Sequence, residues 1–99
     1  MITDLLTPHQ VQLDLSARIK QRRLEQRLTQ EDLAKKAGIP LSTYRLFEQK
    51  GQISLSAFIQ VVYALNGLQE VNALFTHPTW ATMDEMLNSA SPKKRVRHE

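Results

Sequence analysis

Thr29-Gln30-Glu31-Asp32-Leu33-Ala34-Lys35-Lys36-Ala37-Gly38-Ile39-Pro40-Leu41-Ser42-Thr43-Tyr44-Arg45-Leu46-Phe47-Glu48 is the stretch that decides the fold. It reads as two short helices joined by a tight turn at Ala37-Gly38-Ile39-Pro40. Thr29 is a natural helix cap: its hydroxyl can take up an amide that the helix start leaves unpaired, and Glu31 and Asp32 suit the positive end of the helix dipole. Leu33, Ala34 and Ala37 form an inward face, on which the small alanines let a following helix approach closely. Gly38 falls where a left-handed residue is expected after a helix. The second helix is predicted over about 41–49, since Pro40 is tolerated at a start that needs no intrahelical donor. Tyr44 and Phe47 then point inward, and Leu41, Ser42, Arg45, Leu46 and Gln49 lie further out. Lys50-Gly51 ends the element.

Working outward, Thr7-Pro8 can cap a helix and fill its first position. That helix is expected to start at Pro8 or Val11 and run to Arg27, with Val11, Leu15, Ile19 and Leu24 as its apolar stripe and Arg18, Lys20, Arg22 and Arg27 mostly off it. On the other side, Ser54 caps a helix over about 55–66 with the stripe Leu55, Phe58, Ile59, Val62 and Leu65, closed by Asn66-Gly67. Val61 and Tyr63 lie partly off that stripe, so a second buried face is expected. A fifth short helix over about 68–75 carries Leu68, Val71, Leu74 and Phe75. His77-Pro78 breaks the chain, and Thr82-Met83-Asp84-Glu85 matches a capping box that would open a last short helix. Ser89-Ala90-Ser91-Pro92 reads as linker, and the basic tail from Lys93 has no apolar anchor. No strand signal competes. The reading is all-α, with an N-terminal segment 1–10, a helical domain 11–75, an extension 76–91 and a flexible basic tail 92–99.

Ninety-nine residues support one small core. The absence of cysteine excludes disulfides and thiolate metal sites and fits a reducing cytosol. No apolar run approaches the roughly 20 residues needed to span a bilayer, and Met1-Ile2-Thr3-Asp4 lacks the basic flank of a signal peptide; no membrane partner and a cytoplasmic location are expected. The net charge of +3 is unevenly placed. Arg18, Lys20, Arg22, Arg23, Arg27, Lys35, Lys36, Arg45 and Lys50 face only Glu25, Glu31, Asp32 and Glu48, which concentrates positive charge over the two-helix stretch. Phosphate binding needs such a local surplus more than a high total. Catalytic readings find no support: His9, His77 and His98 are scattered, three glycines make no phosphate loop, and Asp84 and Glu85 are neighbours at a helix start. No enzyme activity, cofactor or metal is expected.

Residues 15–75 resemble the Cro/C1-type (XRE, lambda-repressor-like) helix-turn-helix domain of phage repressors and bacterial regulators. The resemblance rests on Arg18-Ile19-Lys20-x-x-Arg23, Leu28-Thr29-Gln30-Glu31-Asp32-Leu33-Ala34, Ala37-Gly38-Ile39 and Leu46-Phe47-Glu48, all in order. It implies a five-helix domain in a bacterial or phage protein that sets its third helix in the DNA major groove. Gln30 then matches a glutamine that contacts a phosphate and braces the reading helix. Leu41, Ser42, Arg45 and Leu46 fall on groove-facing positions, with Gln49 beyond them and Thr43 near the DNA backbone. Arg45 suits a guanine edge, Ser42 a base or a phosphate, and Leu41 and Leu46 apolar contact such as a thymine methyl. Arg23 and Glu48 match a partly buried structural ion pair. Pro40 replaces a usual serine or threonine cap, and the two leucines occupy positions more often polar, so a loosely specified half-site is expected.

The resemblance further implies a transcriptional repressor that binds a palindromic double-stranded operator as a homodimer, with Val61, Tyr63, Leu68, Val71, Leu74 and Phe75 as its dimer seam. Gly51-Gln52-Ile53-Ser54-Leu55 and the 76–99 extension are similar to HipB-type antitoxins of toxin–antitoxin operons, which implies autoregulation and a HipA-like kinase as partner. Trp80, Met83, Met86 and Leu87 are the candidates for partner binding, Trp80 alternatively capping the core. A stand-alone or phage-type regulator and a helical protein-interaction adaptor are the alternatives.

Overall fold

Side-chain oxygens open three of the helices in this chain. Thr7 accepts from the Gln10 amide at 3.0 Å, and Ser54 accepts from the Ala57 amide at 3.1 Å. Thr29 accepts from the Asp32 amide, and the Asp32 carboxylate accepts from the Thr29 amide, both at 3.0 Å, which completes a reciprocal capping box. That backbone donor holds the Asp32 carboxyl below its ordinary range. The computed structural model describes residues 6–78. Among them it has α1 (Pro8–Glu25), α2 (Gln30–Ala37), α3 (Leu41–Lys50), α4 (Leu55–Ala64) and α5 (Leu68–Asn72), and no strand.

Two of the five helices end on a left-handed glycine. Gly38 and Gly51 take left-handed conformations, φ 74° and 71°, after α2 and α3. After α1 and α4 the same left-handed role falls to Arg27 (φ 60°) and Asn66 (φ 64°). Several bounds differ from the sequence expectation. The first helix takes Pro8 as its first residue, so residues 8–10 belong to the helical body, and it stops at Glu25. The fourth and fifth helices close at Ala64 and Asn72. Phe75 is beyond α5 in a left-handed conformation. The expected helix at Thr82, the linker and the basic tail lie outside the described residues.

Leu33, Ala34, Ala37, Tyr44, Phe47, Val61, Ala64 and Leu65 make the buried cluster, with Ile19, Leu28, Ile39, Leu41, Ile53 and Phe58 packed partly against it. Phe47 is its aromatic centre, edge-on to Phe58 at 5.8 Å between ring centroids and tilted to Tyr44 at 6.2 Å. α2 lies against both α3 and α4, and α1 lies along α3. Only the middle of the apolar stripe expected for α1 turns inward: Leu15 and Ile19 are half-buried, Ile19 against the core, but Val11 and Leu24 are exposed, and the fully buried residues are Ser16 and Arg23. Polar bonds do much of the docking of α1. The Gln12 amide donates to the Gly51 carbonyl at 2.8 Å, and the Gln26 amide donates to the Leu65 carbonyl at 3.1 Å. Arg22 pairs with Glu70 of α5 on the surface, which raises the arginine and lowers the carboxyl through their mutual hydrogen bonds. Val61 is a correction. It was expected on a dimer seam, but it is wholly buried in the cluster with Leu33 and Tyr44 and cannot line an outer surface.

The two left-handed glycines differ in their surroundings. A Cβ at Gly51 would lie 3.0 Å from the Gln12 backbone carbon and Cβ, whereas one at Gly38 would meet only a side-chain oxygen of Gln60 at 3.8 Å. Gly38→Ala is expected to lose about 1–2 kcal/mol from the left-handed backbone alone. Gly51→Ala is expected to lose measurably more in urea denaturation, because α1 must shift as well; equal losses would refute that packing account.

Candidate nucleic-acid interface

Buried within the helix pair is a carboxylate that three elements share. Glu48, on α3, accepts from Arg23 of α1 through Nε at 2.8 Å and Nη2 at 3.2 Å. The side chains of this ion pair are only 8% and 5% exposed. Tyr44, one turn earlier on α3, donates its hydroxyl to the same carboxylate. Gln30, at the first position of α2, donates its amide to Glu48 Oε1 at 2.9 Å. Arg23 also donates to the Leu28 carbonyl at 2.7 Å, which fastens the loop between α1 and α2. Burial by itself would raise the Glu48 carboxyl, but the bonds from Arg23, Tyr44 and Gln30 outweigh it and hold the carboxyl below its ordinary value. Arg23 is raised, chiefly by its hydrogen bond to Glu48, and Tyr44 is raised by burial and by donating to the carboxylate.

The network reaches the surface through Gln30. An ionised carboxylate only accepts, so it draws the NH₂ end of the Gln30 amide toward itself and leaves the carbonyl end facing outward. Arg45 Nε donates to that carbonyl oxygen at 3.4 Å. The exposed guanidinium of Arg45 is thereby tied, through one amide, to the buried pair. The Gln30 amide thus braces α3 from α2.

Helical spacing gathers the remaining surface of α3. Ser42, Arg45, Leu46 and Gln49 are all exposed and share one stripe at intervals of three and four. Thr43 is half-buried beside it. Leu41, expected on the reading face, is half-buried and packs against the core, so α2 and the interior claim part of its side chain. Pro40 opens α3 without a side-chain cap bond, its φ of −63° supplying the entry angle instead. Of the dimer candidates, Tyr63, Leu68 and Leu74 are exposed, Val71 is half-buried, and Phe75 is 97% exposed. Ile59, Leu68, Val71 and Leu74 also line an open hollow of about 560 Å³ between α4 and α5. Trp80, Met83, Met86 and Leu87 lie outside the described residues.

A short helix capped by Thr29, a left-handed glycine turn and a second helix with an exposed polar stripe match a known pattern. The helix-turn-helix family profile matches residues 19–66, from within α1 to the turn after α4. Residues 19–66 are thus similar to helix-turn-helix domains, and the all-α arrangement of five helices is consistent with a Cro/C1-type fold. Domains of this family are DNA-binding and not enzymatic, and the match suggests a DNA-binding transcription regulator. Comparison with curated proteins finds no match. Among the described residues no helix is long and apolar enough to cross a membrane, and no three His, Cys, Asp or Glu side chains gather as a metal site. The sequence reading missed that Tyr44 joins the Glu48 network; a tyrosine four residues before a glutamate on one helix was the available signal.

The buried pair has a pH signature. Because the folded Glu48 carboxyl is held below the ordinary 4.5, its stabilisation is complete above that pH and is lost as pH falls through the lower folded value. Arg23→Ala strands a buried carboxylate and is expected to cost about 3–5 kcal/mol. Glu48→Gln is expected to lower stability at neutral pH and to flatten its decline below pH 4.5. Urea denaturation from pH 3 to pH 7 (a window of about four units around the carboxylate range) checks both, and an unchanged acid limb in Glu48→Gln would remove Glu48 from this role.

Proposed function

We propose that this chain is a sequence-specific DNA-binding repressor that inserts α3 into the major groove of a palindromic operator as a homodimer. The observation that carries the reading is Arg45: an exposed guanidinium on the outer stripe of α3, steadied by Gln30 of α2, in a stretch of the chain with a surplus of positive charge. Arg45 suits the O6 and N7 acceptors of guanine, and Ser42 and Gln49 supply hydrogen-bonding groups on either side of it along the helix. The Gln30 side chain is engaged on Glu48 and Arg45, so in this arrangement its amide braces α3, and the phosphate contact is assigned to it in addition. Thr43 is placed beside the DNA backbone.

Tyr63, Leu68, Val71, Leu74 and Phe75 are proposed as the seam between two copies. Exposed apolar groups gathered near one end of a small domain favour association, and a two-fold pair would set its reading helices about 34 Å apart, one turn of DNA. The location that suits this activity is the cytoplasm.

Titration of the full chain against the DNA upstream of its own gene and a shuffled duplex tests the reading. Wild type is expected to prefer the former and to weaken steeply with salt. Arg45→Ala is expected to lose about 1–3 kcal/mol of that preference while leaving the shuffled duplex nearly unaffected. Leu74→Glu with Phe75→Glu is expected to give monomers in sedimentation and to lose the advantage of a palindrome over a half-site. Retained preference in Arg45→Ala would reject the groove assignment.

A finer proposal is that the repressor is the antitoxin of a HipBA-type operon and binds a HipA-like kinase. What supports it is the likeness of Gly51-Gln52-Ile53-Ser54-Leu55 to HipB-type antitoxins and the presence of chain beyond α5 with Trp80, Met83, Met86 and Leu87. Co-expression with a kinase encoded beside it is expected to give a complex that survives gel filtration. Elution as separate species would leave a stand-alone regulator.

A further inference from the structure

Leu46 is an apolar side chain that the fold of α3 does not explain. Tyr44 and Phe47 are buried, and Leu41 packs partly on the core, but Leu46 is 41% exposed and takes no part in the buried cluster. A lone exposed leucine is ordinary on a protein surface. This one is set among polar groups: it follows Arg45 in sequence, is one turn from Ser42, and has Gln49 three residues beyond, all exposed.

We propose that Arg45 and Leu46 together read a 5-methylpyrimidine–guanine step, Leu46 covering the pyrimidine methyl and Arg45 the guanine O6/N7 edge. The inference rests on the DNA-binding reading above and names the base chemistry that this face selects. In the major groove the pyrimidine 5-methyl is the apolar feature of a base edge; the others are hydrogen-bond donors and acceptors. A leucine can cover a methyl group, but it satisfies neither a donor nor an acceptor and leaves a base amine or carbonyl stripped of water at a cost. Successive helix residues diverge by about 100° and rise about 1.5 Å, so Arg45 and Leu46 face neighbouring bases and not the same one. Arg45 Nε meets the Gln30 carbonyl at 3.4 Å, so with Arg45 on guanine the adjacent residue Leu46 faces a base next to it. Thymine and 5-methylcytosine present the same methyl, and either would serve.

The test begins with selection of bound duplexes from a random pool by the full chain. The enriched duplex is then remade with deoxyuridine for thymidine at one position at a time, and with cytosine or 5-methylcytosine at the sensitive position. Removal of one methyl beside a guanine is expected to weaken wild-type binding about fourfold, the worth of one buried methyl. Leu46→Ala is expected to bind with the same salt dependence but to show no difference between thymidine and deoxyuridine, while Leu46→Met restores it. Recovery of affinity by 5-methylcytosine over cytosine assigns the preference to the methyl itself; recovery by thymidine alone assigns it to thymine. Wild type that binds with salt dependence yet loses nothing at any deoxyuridine, or Leu46→Ala that keeps the wild-type difference, overturns the inference and leaves the DNA-binding reading standing. Absence of salt-dependent binding to every duplex overturns both.

Discussion

The Glu48 carboxylate is the constraint on which the rest of the structure depends. It is one residue after Phe47, the aromatic centre of the core, and it cannot be buried there unless every one of its strong acceptor positions is engaged. Arg23 brings α1 to it, Gln30 brings α2, and Tyr44 closes it from α3 itself. An apolar contact of the same area would tolerate small rotations of these helices. A carboxylate accepting from three side chains does not, because each donor that drifts leaves a dehydrated charge behind. The apolar cluster supplies the driving force for collapse, and the shared carboxylate sets the angle at which α1, α2 and α3 come to rest.

The same constraint reaches the reading surface. The orientation of the Gln30 amide is dictated from the inside, since only its NH₂ end can satisfy an ionised carboxylate. Its outward carbonyl is then fixed as an acceptor for Arg45. The exposed Arg45 of α3 is linked to a nearly buried charge through one amide and two hydrogen bonds. A long flexible arginine held in this way loses less conformational freedom on meeting a base than a free one would.

Much of this was legible in the chain, and what was not has a physical explanation. Thr29, Gly38, Tyr44 and Phe47 each follow from local chemistry or helical spacing, while the Arg23–Glu48 relation came from the family resemblance alone. The ends of the α1 stripe were misread because a periodicity argument counts apolar residues: Leu15 and Ile19 do turn inward, but Ser16 and Arg23 are the fully buried positions while Val11 and Leu24 face water. A buried arginine can replace a leucine only where a partner from elsewhere in the chain meets it, and the partner is 25 residues away. Val61 was misplaced for a related reason. α4 is apolar on more than one side, and nothing local distinguishes the side that α2 covers from the side left open. Helix ends at Glu25, Ala64 and Asn72 fell short of expectation because Arg27, Asn66 and Phe75 adopt left-handed conformations usually ascribed to glycine.

In the proposed complex, an outer stripe of α3 whose polar side chains are Ser42, Arg45 and Gln49 would distinguish few base pairs directly. In that complex its affinity would come largely from elsewhere: from phosphate contacts by the surrounding positive charge, and from the doubling of sites that a two-fold pair provides. These sources have different consequences. Phosphate contacts favour all sequences alike, whereas a second copy favours only pairs of half-sites at the correct spacing. For a domain with so sparse a reading face, selectivity therefore passes from the individual side chain to the geometry of the pair. In the proposed dimer the apolar surface at Leu68, Leu74 and Phe75 would contribute to sequence recognition as directly as Arg45, although it never approaches a base.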